Sequence, residues 1–241
     1  MAEKYDITIL TNQKSWMNKY NFILKSELEN LGHCVKIIHS KKDLLSGDIA
    51  FFLSCFEIIS EEYLNLHTHN IVVHASDLPK GKGWSPASWQ ILEGKNDIPI
   101  TLFEATNSVD AGDYYIKDIL HLDGYELIDD WQNKLGQKII EMCLSYVKNY
   151  KNMSGISQEG DETFYKRRKA EDSELDINKT LKEQFNLLRI VDNNNYPAYF
   201  KYGKNTYYIN IFRGGVKPSQ QASFAAFVKS FLAYLMEVIY A

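Results

Sequence analysis

One stretch of the chain decides the fold: Asn70-Ile-Val-Val-His74-Ala-Ser76-Asp-Leu-Pro79-Lys-Gly-Lys-Gly83-Trp-Ser-Pro86, followed later by Val109-Asp110-Ala-Gly112. The apolar run at 71–73 predicts a buried strand that ends at His74. A loop rich in Pro, Gly and Lys comes next, and then a short helix. Because a strand end and a later loop can meet over a cleft, the carboxylate of Asp110 can orient the imidazole of His74 and favour its charged form.

Segments of strand and helix character alternate on both sides of this stretch. The sequence predicts strands at 6–11, 34–38, 48–53, 97–103 and 114–120. It predicts a helix capped by Ser15 and closed by Gly32, and a second one opened by Ser85-Pro86 and closed by Gly94. A third helix has an apolar face made of Trp131, Leu135, Ile139, Met142, Cys143 and Tyr146. This order predicts an α/β protein with a doubly wound, mostly parallel sheet. The first turn, residues 11–15, has no Gly-x-Gly-x-x-Gly, so NAD is not predicted.

The composition changes at about residues 148–174, where polar residues and a basic run, 165–169, replace the apolar periodicity. We therefore predict a catalytic domain at 1–150, and a linker with a small α+β appendage at 151–241. The appendage is predicted to hold a helix at 176–189 and strands at 198–202 and 207–212. An apolar helix at 223–240 either forms a homodimer interface or packs on the same chain.

Composition limits the classes of partner. A net charge of −4 and a pI near 5.9 over 241 residues weigh against nucleic acid. Three cysteines without paired spacing, Cys34, Cys55 and Cys143, are typical of reduced thiols in the cytosol. The first residues lack a signal-peptide pattern, and no apolar run is long enough for a membrane span. We expect a cytoplasmic protein.

Residues 50–145 resemble the formyltransferases that use N10-formyltetrahydrofolate, whose hallmark is a strand end Asn-x-His-x-Ser-Leu-Leu-Pro, a Gly-containing loop and a later Asp-x-Gly turn. The resemblance implies a Rossmann-like formyltransferase fold, N10-formyltetrahydrofolate as formyl donor, and catalytic roles for His74 and Asp110. Val72 stands where the family has its Asn. Asn70 shares the strand face but lies about 6 to 7 Å further back, so it cannot simply replace that amide. Either another donor holds the oxyanion, or His74 and Asp110 suffice.

The resemblance also implies a pterin site between two loops. We assign to it the candidate residues Ser54, Phe56, Glu57 and Ile58 from the first loop and Glu104, Thr106 and Val109 from the second. Backbone groups would read the flat heterocycle, and apolar side chains would wall it. Phe56 and Ile58 can equally be plain core residues.

The candidate acceptor site follows His74 and consists of Ser76, Lys80, Lys82 and Trp84. Alternatively, this is a solvated basic loop. Lys14 and Ser15 could bind an anion at a helix N-terminus, and the basic run 165–169 could bind phosphates or be a solvated loop. His67 and His69 lack partners at ligand spacing and are expected in a surface turn, so no metal is predicted.

The sequence of the motif at 74–86 is most similar to that of the family branch associated with pseudaminic and legionaminic acid surface sugars. Residues 163–173 and 195–198 resemble the segment that follows the catalytic domain in sugar formyltransferases. We therefore predict transfer of a formyl group to a primary amine of an amino sugar, nucleotide-linked or a nonulosonic acid precursor. Net acidity and a short C-terminal part weigh against tRNA. The alternatives are another small amine (an amino acid or purine precursor), an inactive folate-binding module, and hydrolysis of the formyl-folate.

Overall fold

A six-stranded mixed sheet forms the centre of the computed structural model, which describes residues 3–214. Its strands lie in the order β2-β1-β3-β4-β6-β7. Their bounds are β1 (Asp6–Leu10), β2 (Cys34–Ile38), β3 (Gly47–Phe52), β4 (His67–His74), β6 (Asp97–Glu104) and β7 (Tyr114–His121). β1 to β4 pair in parallel, and β6 and β7 are added antiparallel. The predicted α/β fold with a mostly parallel, Rossmann-like sheet is confirmed.

Helices cover the sheet because each has one apolar face. α1 (Asn18–Asn30) and α4 (Ile128–Asn149) pack together on one face, and all six apolar residues predicted for the α4 face are buried. A smaller apolar cluster beneath α2 (Glu61–Leu64) covers the other face. α3 (Pro86–Leu92) has Pro86 at its first turn, as predicted, and Gly94 follows its end with a φ of 90°.

The start of α1 differs from the prediction. The helix begins at Asn18 with Met17 as its N-cap, and the hydroxyl of Ser15 instead accepts a hydrogen bond from the Met17 N–H at 3.1 Å. Ser15 thus stabilises the turn before the helix. Lys14 and Ser15 therefore lie ahead of the helix N-terminus at which an anion was expected.

The strand β4 begins earlier than predicted. His67 and His69, expected in a surface turn, lie inside it, because β4 continues the parallel pairing with β3 back to Gly47. His67 is buried, and Nε2 of its ring lies 3.2 Å from the Thr8 hydroxyl. Within residues 3–214 no group of three or more His, Cys, Asp or Glu residues is arranged to hold a metal ion.

The part of the chain after α4 contains short elements. Two-residue strands, β5 (Lys82–Gly83) and β8 (Phe164–Tyr165), pair in parallel, and β9 (Ala198–Tyr202) and β10 (Asn205–Ile209) form an antiparallel hairpin. The predicted strand at 207–212 thus begins two residues earlier. Three single 3-10 turns lie at Lys41–Asp43, Tyr150–Asn152 and Ala170–Ser173.

The predicted helix at 176–189 is wrong over most of its length. Only α5 (Phe185–Ile190) is helical. The side-chain amide of Gln184 donates to the carbonyls of Asp176, Lys179 and Thr180, and so holds the preceding residues in turns. Side chains that bond to nearby backbone compete with helix formation in this way.

A buried ion pair joins α5 to the sheet domain. Nη2 of Arg189 lies 3.5 Å from the carboxylate of Glu126, and Nε of the same side chain donates to the Glu126 carbonyl. The indole of Trp131 donates to the Arg189 carbonyl at 3.0 Å. The appendage is therefore fixed to the α4 side of the domain.

The predicted helix at 223–240 lies outside the described residues. Among those that are described, no helix has the length and apolar character needed to span a bilayer.

Candidate active site

A cavity of about 580 Å³ opens where β1, β3 and β4 end. We call it the cleft. Ligands commonly bind at the carboxyl ends of parallel strands, because loops of different strands converge there. The lining comes from both sides of the sheet: Phe52 and Val72 lie on one side, and Trp16 and Leu135 on the other.

His74 ends β4 at the cleft, and its ring is almost buried. The Nε2 atom lies 2.8 Å from the carbonyl oxygen of Gly81. A carbonyl oxygen only accepts hydrogen bonds, so this ring nitrogen carries a proton. That contact fixes the orientation of the ring and leaves the second ring nitrogen as its other proton-exchanging atom.

Asp110 lies beside the same ring. Its Oδ2 atom is 3.9 Å from His74 Nε2, which is within ion-pair distance for a protonated ring but too long for a hydrogen bond. The same oxygen accepts from the Gly83 N–H at 2.9 Å. The structure thus brings the two predicted catalytic side chains together, but they are not hydrogen-bonded to each other.

The turn that presents Asp110 is held by a residue far along the chain. Asp110 has a φ of 51°, a conformation that a non-glycine residue keeps only where its surroundings enforce it. The side-chain amide of Gln158 donates to the carbonyls of Asp110 and Gly112, at 3.1 and 2.7 Å. At Gly112 an added Cβ would lie 1.7 Å from the Glu104 carbonyl, so only glycine fits.

The strand position of the family's Asn holds an apolar side chain here. Val72 lines the cleft, as expected from its place two residues before His74. The amide of Asn70 donates to the Leu64 carbonyl at 2.9 Å and is buried away from the cleft. Asn70 therefore does not supply the oxyanion donor.

The two loops predicted to hold a pterin both line the cleft. Ser54, Phe56, Glu57, Ile58, Thr106 and Val109 all line it. Phe56, Ile58 and Val109 are each more than half exposed, so they are not core residues. No backbone N–H of residues 54–59 donates to another residue in the described range 3–214. Exposed apolar walls and free backbone donors are what a flat, polar-edged heterocycle requires.

Glu104 is turned away from the cleft. Its carboxylate accepts from the Asn70 N–H and, at 2.9 Å, from the hydroxyl of Tyr115, and it lies 3.3 Å from Nδ1 of His69. Burial and the Glu104 carboxylate raise the pKa of Tyr115, which keeps this phenol protonated as a donor. The carboxylate of Glu104 thus supports the base of the 105–112 loop and does not line the cleft.

Of the four predicted acceptor residues only Trp84 lines the cleft. Ser76 is buried and its hydroxyl has no partner among the described residues. Lys82, expected to be exposed, is buried and bonded to Glu162 across the β5–β8 pairing. Lys80 lies in the turn closed by its N–H and the Asp77 carbonyl and does not reach the cleft lining.

Residues 156–168, which we call the arm, run along the 80–84 loop. Thr163 accepts from the Gly81 N–H through its hydroxyl and from the Lys82 N–H through its carbonyl, at 2.8 and 2.9 Å. The carbonyl of Tyr165 accepts from the Trp84 N–H, and a Cβ at Gly83 would lie 2.6 Å from that oxygen. The stretch predicted as a linker or surface loop is therefore bonded to the loop that follows His74.

Sequence reasoning missed several residues that line or support the cleft: Trp16, Gln132, Gln158 and Arg167. Arg167 belongs to the basic run that the sequence did single out. Gln158 carries no local signal, because its role depends on a contact with a turn 48 residues earlier.

The chain is similar to known proteins both in sequence and in fold. The sequence model of the family described as formyl transferase matches residues 11–144, which are 134 of the 241 residues. A methionyl-tRNA formyltransferase of Mycoplasma capricolum is 29% identical over 182 residues, 70% of this chain and 56% of the relative. The chain thus spans little more than half the length of that curated relative.

Two solved structures illustrate the likeness in three dimensions. A methionyl-tRNA formyltransferase from Clostridium thermocellum has a TM-score of 0.71 at 26% identity, covering 88% of this chain and 95% of that one. A sugar N-formyltransferase from a Shewanella species has a TM-score of 0.63 at 14% identity, covering 88% and 99%. At that identity the second comparison shows the fold alone.

Proposed function

Because the chain belongs to the formyl transferase family, we propose that it transfers a formyl group from N10-formyltetrahydrofolate to the primary amine of an amino sugar. The observation that carries this proposal is the placement of His74 and Asp110, 3.9 Å apart, in a cleft walled by two loops with free backbone groups. The family, the fold and this pair of side chains all favour the same chemistry.

The reaction requires a proton to leave the attacking amine, a negative charge to be held on the formyl oxygen, and a proton to reach the folate nitrogen that leaves. When bound, the donor supplies the activated formyl carbon. The imidazole of His74, fixed by the Gly81 carbonyl, is placed to hold and return a proton. The Asp110 carboxylate, 3.9 Å from the ring, can offset the positive charge that the ring gains when it takes up a second proton.

The two loops, 54–59 and 105–110, would form the binding site for the pterin of the donor, which we call the donor slot. Free N–H groups in residues 54–59 can pair with the edge of a pterin, while Phe56, Ile58 and Val109 cover its faces. Ser54 has a φ of 53° at the start of the first loop, and its carbonyl accepts from the side chain of Asn12 at 2.9 Å. The loop is therefore shaped in advance of binding, which reduces the entropy cost of association.

Three observations favour an amino sugar as the acceptor. The net charge of −4 is unfavourable for a polyanion such as tRNA. The cleft volume of about 580 Å³ is of the size that small-molecule ligands occupy. An indole, that of Trp84, lies at the mouth, and aromatic rings pack well on the apolar faces of sugars. The motif 74–86 and the segments 163–173 and 195–198 resemble those of the sugar-modifying branch.

The direct test is a panel of amines offered with N10-formyltetrahydrofolate, with release of tetrahydrofolate followed by absorbance. We expect nucleotide-linked or free amino sugars to give turnover, and amino acids and purine precursors to give much less. Turnover with an amino acid or purine-precursor amine alone would replace the acceptor while keeping the reaction. Release without any amine would identify a hydrolase.

A second candidate function rests on Val72. Since the family's Asn is missing there and Asn70 is engaged with Leu64, the chain could bind folate without catalysing transfer. Tetrahydrofolate binding together with no turnover for any amine of the panel would establish this reading and refute the proposed reaction.

A further inference from the structure

A guanidinium lies over two aromatic rings at the mouth of the cleft. The Arg167 guanidinium carbon is 4.9 Å from the ring centre of Trp84 and 5.9 Å from that of Phe56. The two rings are themselves 5.2 Å apart and tilted by 51°. We call these three side chains the mouth cluster. All three line the cleft, although one comes from the arm and two come from loops of the sheet domain.

The backbone on either side of Arg167 is fixed. The carbonyl of Tyr165 accepts from the Trp84 N–H, and the carbonyl of Lys166 accepts from the indole of Trp89 at 2.8 Å. The next side chain, Arg168, donates to the Ile190 carbonyl and to the Ser173 hydroxyl. Arg167 is thus presented to the cleft from an anchored strand end.

The positive charge of Arg167 is not neutralised by its neighbours. Lys166 pairs with Asp172 and Lys82 pairs with Glu162, but no carboxylate within residues 3–214 lies within ion-pair distance of Arg167. Lys80 and Lys82 were predicted to bring positive charge to the acceptor site, but neither lines the cleft. In the structure, Arg167 brings positive charge there instead. A planar guanidinium next to aromatic faces suits a phosphate joined to a flat ring or sugar.

We propose that the mouth cluster binds the phosphate groups of a nucleotide-linked acceptor, with Arg167 on the phosphate and with Trp84 against the base or sugar, while Phe56 stays with the donor and helps to hold the guanidinium in place. This inference rests on the proposed function and narrows its acceptor to a nucleoside diphosphate derivative. The p-aminobenzoyl-glutamate end of the donor also combines a ring with negative charge. The experiment therefore has to distinguish binding of a nucleotide phosphate from binding of the glutamate carboxylates of the folate.

The test compares Arg167→Ala and Arg167→Lys with Lys169→Ala. Lys169 belongs to the same basic run, is exposed and does not line the cleft, so its removal changes the net charge equally. Binding of uridine 5′-diphosphate, thymidine 5′-diphosphate and tetrahydrofolate carrying one or five glutamates is measured by calorimetry on the full chain. Thermal melting checks that each variant is folded.

We expect at least one of the two nucleoside diphosphates to bind the wild-type protein, and Arg167→Ala to weaken that binding about tenfold or more. Arg167→Lys should recover part of the affinity, and Lys169→Ala should change it less than twofold. Tetrahydrofolate affinity should be unchanged in all variants, with either tail.

Three results would overturn the inference: neither diphosphate binds the wild type, Arg167→Ala and Lys169→Ala behave alike, or Arg167→Ala weakens the binding of tetrahydrofolate with either tail and not that of the diphosphates. The last result would assign Arg167 to the donor. Because these are binding measurements, they are independent of turnover. Failure of every amine in the turnover panel would refute the proposed reaction separately.

Discussion

The two walls of the cleft are built in different ways. On one wall, loops 54–59 and 105–110 follow strands of the sheet and expose apolar side chains, and loop 54–59 leaves its backbone donors free. On the other, the arm returns to the sheet domain and supplies Arg167 next to Trp84. His74 lines the cleft at the end of β4, and Asp110 lines it at the end of the 105–110 loop.

The two walls also differ in their relation to the family match. The first wall comes from the part of the chain that the family model matches, residues 11–144. The arm lies beyond that match, and its side chains can change without altering the strands that carry His74. We therefore expect variants at the centre to affect turnover with every acceptor, and variants of the arm to affect the choice and geometry of the acceptor.

The largest effect is expected at the centre of the cleft. His74→Ala or Asp110→Ala should lower kcat by at least about a hundredfold while tetrahydrofolate affinity stays within a few-fold, since each removes a group needed for proton transfer. Steady-state kinetics and calorimetry measure both quantities. The control is His121→Ala, which removes a surface imidazole paired with Asp97 at 2.7 Å. Wild-type turnover in either cleft variant would refute the catalytic assignment.

The next effect is expected at Glu126, the buried carboxylate that pairs with Arg189 of the appendage. Burial alone would raise the pKa of Glu126, but the Lys134 ammonium and the backbone N–H of Asp123 lower it to about 2. Glu126→Gln should therefore cost about 2 kcal/mol of unfolding free energy, measured by urea denaturation at neutral pH. Glu141→Gln, on the exposed side of α4, should cost less than about 0.5 kcal/mol.

The contribution of Glu126 to the unfolding free energy should also depend on pH. The pKa of Glu126 in the folded state lies below the value of about 4.3 expected for the unfolded chain. Its stabilisation is therefore complete above that pH and is lost as the pH falls towards about 2. A Glu126→Gln variant whose stability ran parallel to that of the wild type through this window would contradict the account.

A smaller effect is expected where the arm holds the Asp110 turn. Gln158→Ala should lower kcat about tenfold and leave the KM for the donor unchanged, because it frees the carbonyls of Asp110 and Gly112 but removes no contact of the 54–59 loop. Gln137→Ala on the exposed face of α4 is the control. A rise in the donor KM with unchanged kcat would show instead that the arm shapes the donor slot.

The smallest effect is expected at Val72. Val72→Asn should raise kcat about threefold, since it restores an amide donor near the formyl oxygen at some cost in apolar packing. Val72→Ala controls for the packing alone. If the two variants lose activity equally, another group already supports the oxyanion.

The sequence predicted the sheet domain well because its signals are local. The α4 face could be recognised from apolar spacing, and Gly94 from its position after a helix. The placement of His74 at a strand end followed from the apolar run before it. These features depend on residues within a few positions of one another.

The errors arose where distant contacts decide the outcome. Lys82 is buried because Glu162 reaches it from 80 residues away, and Glu104 is turned from the cleft by Asn70, His69 and Tyr115. The arm is held largely by backbone hydrogen bonds, which amino-acid composition does not encode. Such contacts appear only when the chain is folded.

The most direct test of the whole account follows the formyl carbon itself. The full-length chain is incubated with N10-formyltetrahydrofolate labelled at that carbon and with a nucleotide-linked amino sugar, and the products are identified by mass spectrometry. We predict that the label appears as a formamide on the sugar amine, in equal amount with tetrahydrofolate, and that His74→Ala abolishes it. Label found only in free formate, or remaining on intact bound donor, would contradict the proposal that this cleft hands a formyl group to an amine.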